Sequence, residues 1–86
     1  MNSLKDAVRL LEQGDWKAAH KIVQNLSSPA AHWAHAIVHM MEGDRDNADY
    51  WYGKAQRARP EPFIGSQEIA RLSWLADAAS DGRSEC

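Results

Sequence analysis

"EQGDWKAAHKIV" (Glu12–Val23) and "MEGDRDNADYWY" (Met41–Tyr52) align with each other, matching Gly-Asp and then an alanine at the same offset. Each pair reads as a helix end, a tight turn and a helix start. Glycine suits the left-handed position that closes a helix, and aspartate is a strong cap for the next one. Working outward, each Gly-Asp is flanked by apolar residues at helical spacing. Leu4, Ala7, Val8 and Leu11 follow a Ser3 cap, and Trp16, Ala19, Ile22, Val23 and Leu26 follow Asp15. Ser27-Ser-Pro29 stops that second helix and starts a third, over about Ala30 to Glu42. The spacing predicts a fourth over about Arg45 to Ala58, with Ala48, Trp51, Tyr52 and Ala55 on one side, before Pro60-Glu-Pro62 forbids continuation. Gly65-Ser66 opens a fifth, whose apolar face is Ile69, Leu72, Leu75, Ala76 and Ala79. No window alternates apolar and polar residues as a half-buried strand would.

The expected fold is therefore all-α: five helices arranged as two helical hairpins and a capping helix. One domain spans residues 1–79, and 80–86 is expected to be a flexible tail. At 86 residues the chain supports one small core and buries about 60–65% of its unfolded surface. A content of 44% hydrophobic and 26% charged residues is that of a folded globular chain, not a disordered one. Four tryptophans supply large packing units among many alanines.

A net charge of −2 gives no basic footprint for nucleic acid. The single cysteine, Cys86, builds no disulfide framework, and a reducing interior is its natural compartment. No run approaches transmembrane length, and the N-terminus lacks a signal peptide's apolar core. The expected address is the cytoplasm, with no membrane or nucleic-acid partner.

Three of the four histidines lie in "HWAHAIVHMME" (His32–Glu42). On a helical wheel His32, His35, His39 and Glu42 share one face with Ala36, while Trp33, Ala34, Ile37, Val38, Met40 and Met41 cover most of the rest.

Residues Ala30 to Pro60 resemble a tetratricopeptide repeat. Gly43-Asp44 takes its inter-helix turn, and Ala48, Tyr52, Ala55 and Pro60 fall at the family's small, aromatic, small and proline positions. The two glycines are 29 residues apart, shorter than that family's 34. Counting back from Gly43, His32, His35, Ala36 and His39 take positions that the family fills with tryptophan, leucine, a small residue and tyrosine. The resemblance thus implies imidazoles enclosed between helices, each needing a partner. A second resemblance is to small uncharacterised bacterial all-helical proteins sharing His-x-x-x-His-x-x-Glu-Gly-Asp-x-x-Asn-Ala-x-Tyr-Trp-Tyr. That string stands here at His35, His39, Glu42, Gly43, Asp44, Asn47, Ala48, Tyr50, Trp51 and Tyr52. It brings no function with it.

Three readings of the histidines stay open. They are structural, bonded to Glu42, Asn47, the Tyr50 or Tyr52 hydroxyls, or backbone. They bind a metal: His35 and His39, four residues apart, share one face, with Glu42 a turn further on and His20 supplying a ligand from the preceding helix. Or clustered imidazoles beside a carboxylate do acid–base work or bind an anion. No nucleophile presents itself, because Ser66 and Ser73 lack an acid–histidine arrangement and Cys86 is terminal. Asp15 and Asp44 read as caps, and Lys54, Arg57 and Arg59 as charges suited to a helix C-terminus.

The expected role is non-enzymatic: a small intracellular helical-repeat module that binds a protein or peptide partner and self-associates as a homodimer. The partner surface is placed on His32, Asn47 and Tyr50. No cofactor motif is present. The alternative is a histidine-cluster protein, or an enzyme, that binds a divalent metal such as zinc or an anion through His20, His35, His39 and Glu42.

Overall fold

The computed structural model describes residues 3–84, with side chains described over 3–76. The described residues form five α-helices and no strand: α1 (Leu4–Glu12), α2 (Trp16–Val23), α3 (Pro29–Glu42), α4 (Arg45–Lys54) and α5 (Gly65–Ser84). The all-helical expectation holds. Among the described residues no helix is long and apolar enough to cross a membrane.

Both Gly-Asp breaks work as their chemistry requires. Gly14 and Gly43 adopt φ of 82° and 92°. The following aspartate amides bond back to Leu10 and His39 carbonyls at 2.9 and 2.8 Å, closing a Schellman turn. Each aspartate side chain then caps the next helix, Asp15 accepting from Ala18 N at 3.2 Å and Asp44 from Asn47 N at 3.4 Å. Two residues thus end one helix and start the next. Ser3 forms a capping box with Asp6, and Ser28 caps α3 ahead of Pro29.

α4 is shorter than its apolar spacing suggests, ending at Lys54 and not near Ala58. The stop comes from Gln56, which takes the left-handed conformation at φ 62°. Arg57 N then bonds Tyr52 O, and Gln56 N bonds Gly53 O, both at 3.0 Å. This is a third Schellman turn, made without glycine.

Helices α1 and α2 pack together, as do α3 and α4; α2 joins the two pairs through α3, and α5 packs on α1 and α3. The apolar faces read from spacing supply the core. Ala7, Val8, Leu11, Ala19, Ile22, Val23, Ile37, Val38, Ala48, Tyr52, Ile69, Leu72 and Ala76 are buried, and Leu75 packs against them half-buried. Burying a side chain such as Leu11, Ile37 or Leu72 contributes about 1.5–3 kcal/mol. Residue 79, expected on the α5 face, and the side chains of segment 80–86 lie outside the described ones; the backbone of α5 continues through Ser84. α3 is the most enclosed helix, with Ala31 and every residue from Trp33 to Val38 buried.

Candidate metal centre

The Asp15 cap fixes where α2 begins, and that sets His20 on the side of α2 turned toward α3. Ser28 and Pro29 likewise fix α3, on which His35 and His39, four residues apart, project from one face. Three imidazoles therefore meet. The His20 ring stands edge-on to His35 and His39, with centroids 4.8 and 5.4 Å away. His35 and His39 are stacked, 5.0 Å apart and 17° from parallel. One ring nitrogen from each of the three lies within 4.8 Å of the others. A tetrahedral zinc with nitrogens at ~2.0–2.1 Å holds them ~3.3 Å apart, so binding would draw the three rings together.

Glu42 stands outside this triad. Its Oε1 lies 2.9 Å from His39 Nδ1. A carboxylate oxygen only accepts, so Nδ1 donates and Nε2 is the ring atom left for a metal. Carboxylate–histidine pairs of this kind orient metal-binding imidazoles and raise their basicity. A second group of close donors, His39, Glu42 and Asp44, shares His39. There Asp44 is committed to Asn47, whose side-chain Nδ2 donates to its Oδ2 at 2.6 Å. The hydrogen bonds from the Asn47 side chain and backbone hold the Asp44 carboxyl below its usual pKa.

His35 is the buried member, at 5% exposure. Trp51 of α4 lies flat on it, with centroids 3.9 Å apart and planes within 10°. Burial, and then the neighbouring His20, His39 and His32, push its pKa down to about 4. It is neutral at physiological pH, with a lone pair to donate.

Of the remaining predicted positions, His32 and Tyr50 sit against Trp51, the residue that also stacks on His35, and Asn47 is bonded to Asp44. His32 tilts against the Trp51 ring at 5.3 Å. Tyr50, 57% exposed, meets the same ring edge-on at 5.1 Å, and Lys54 Nζ lies 5.7 Å from the Tyr50 ring. Of the hydrogen-bond partners expected for the imidazoles, Glu42 alone serves among the described residues. Asn47 is taken by Asp44, and the Tyr52 hydroxyl by Glu68.

Glu68 is the buried polar residue that sequence reasoning did not single out. One oxygen, Oε1, accepts from Trp33 Nε1 at 2.9 Å and from the Tyr52 hydroxyl at 2.8 Å. Its other oxygen lies 3.7 Å from an Arg71 nitrogen, and the Arg57 guanidinium covers the Trp33 ring at 3.6 Å. Burial first, then the Glu68 hydrogen bond and charge, push the Tyr52 hydroxyl far above the usual phenol range. A signal for Glu68 exists in the sequence: it stands four residues before Leu72 and seven before Leu75, on the apolar stripe of α5.

Comparisons of the chain with protein-family models, with curated proteins and with solved structures find no match.

Proposed function

We propose that this protein binds one divalent transition-metal ion, zinc by the chemistry of its donors, through His20, His35 and His39. The convergence of three imidazoles from two helices carries the reading. Imidazole is a preferred ligand of zinc and its neighbours in the first transition row, and three histidines form a known zinc donor set. Glu42, 2.9 Å from His39 Nδ1, suits the outer carboxylate that orients a metal-binding imidazole. Linking α2 to α3, the ion would join the two helix pairs and stabilise a small domain. Metal analysis of untagged protein tests this. One zinc per chain, lost in His35→Ala and His39→Ala, is the expected result; no stoichiometric metal in the parent protein contradicts it.

A second reading, a tetratricopeptide-like interaction module, is favoured by one observation. Trp74 is 72% exposed and borders a cleft of about 380 Å³ that it lines with Trp33, Arg57, Arg71 and Leu75. An exposed tryptophan over an apolar cleft suits docking to a protein or peptide, a second copy of the chain included. Light scattering after size exclusion, with Trp74→Ser as control, tests self-association. A mass that stays that of one chain at every concentration counts against it.

A further inference from the structure

We infer that a metal ion held by the three imidazoles keeps a coordination position open to a small exogenous monoanion. The inference rests on the metal-binding reading and specifies what that same site takes. Among the described residues His20, His35 and His39 converge as one donor group, and Glu42 and Asp44 group with His39 alone. The two carboxylates that group with His39 are hydrogen-bonded elsewhere. Glu42 holds His39 Nδ1 at 2.9 Å, and Asp44 takes both the side-chain and the backbone hydrogen bonds of Asn47 while capping α4. Three protein ligands with a fourth place for water or substrate is the pattern of open zinc sites, whereas structural sites are closed by four protein donors.

Access is one-sided. His35 is sealed behind Trp51, but the His39 side chain keeps 11% exposure and His20 is only partly buried. The side of the cluster open to solvent is therefore that of His20 and His39. Charge favours an anion there. Three neutral imidazoles leave the ion's two positive charges uncompensated, and Glu42, acting through His39, offsets one. One positive charge remains for a monoanion such as hydroxide, azide or a carboxylate.

The test uses untagged protein loaded with cobalt(II), whose visible absorption reports coordination, titrated with sodium azide. A saturable spectral change at one azide per cobalt is expected in the parent protein. At saturating cobalt, Glu42→Gln removes the outer negative charge and should tighten azide binding by about 3-fold, a value reduced by solvent screening. Cobalt that binds through the histidines with a spectrum indifferent to azide overturns the inference and leaves the metal reading standing. Cobalt that does not bind overturns both.

Discussion

The His35 imidazole lies face to face with the Trp51 indole, 3.9 Å between centroids and 10° between planes. That stack shuts one side of the buried ring away from water, and burial is the leading cause of its lowered pKa. The consequence for stability has a definite sign. Between an unfolded value of 6.5 and a folded value of about 4, the unfolded chain binds more protons than the folded one. Stability is therefore retained above that window and lost as pH falls through it, by about 2 kcal/mol between pH 7 and 5. Urea melts of metal-free protein across this range should show the loss, and His35→Gln should remove about that much of it. An equal slope in both proteins contradicts the assignment. Trp51→Ala should raise the His35 titration midpoint toward its ordinary value, as read by NMR.

Glu68 joins α5 to Trp33 of α3 and Tyr52 of α4 through a single oxygen. Glu68→Ala leaves an indole N–H and a phenol O–H without their partner in a buried setting. A loss of about 3 kcal/mol is expected, since each abandoned donor costs about 1–3. Tyr52→Phe removes one donor and leaves the acceptor served by Trp33, so about 1 kcal/mol is expected. Denaturant melts of the two variants should rank in that order. Equal losses would show that the shared oxygen does not organise the junction.

Gln56 occupies the left-handed position that Gly14 and Gly43 occupy elsewhere. Gln56→Gly should stabilise the fold by about 0.5–1 kcal/mol, because a side chain in that conformation costs about 1–2. A Cβ at Gly43 meets nothing within 4 Å, so Gly43→Ala isolates the same backbone strain with opposite sign. Thermal melts should move in opposite directions. Destabilisation by Gln56→Gly would contradict this account of why α4 stops.

Much of this was legible in the sequence, for local reasons. Glycine followed by aspartate carries both the helix stop and the cap of α2 and α4, and serine caps α1 and α3, so these helices start where their side chains say. The end of α4 was not legible, because glutamine has no preference for the left-handed region; tertiary context imposes it. In the centre, His35 and His39 were legible from their spacing alone. His20 needed only the pairing of α2 with α3. Glu42, one turn beyond His39, reaches that residue's Nδ1 and groups with His39 and Asp44, apart from His20 and His35. The place of Glu68 on the apolar stripe of α5 is legible, but its partners stand 16 and 35 residues away and are not.

Glu42 is predicted to tune the metal rather than hold it. Glu42→Gln should weaken zinc binding by about 10–100-fold without abolishing it, as loss of an outer-shell carboxylate does. Competition against a chromophoric chelator gives the affinity. Complete loss would make Glu42 a direct ligand, and no change would make its contact with His39 incidental.

The three-histidine centre is tested most directly by a zinc titration of untagged, isotope-labelled protein followed at the imidazole nitrogens. At one equivalent of zinc, the ring nitrogens of His20, His35 and His39 should move together to metal-bound positions. His32, which leans on Trp51 outside the triad, should stay as it was. Imidazole signals that do not respond to one equivalent, or that respond in all four histidines alike, would contradict it.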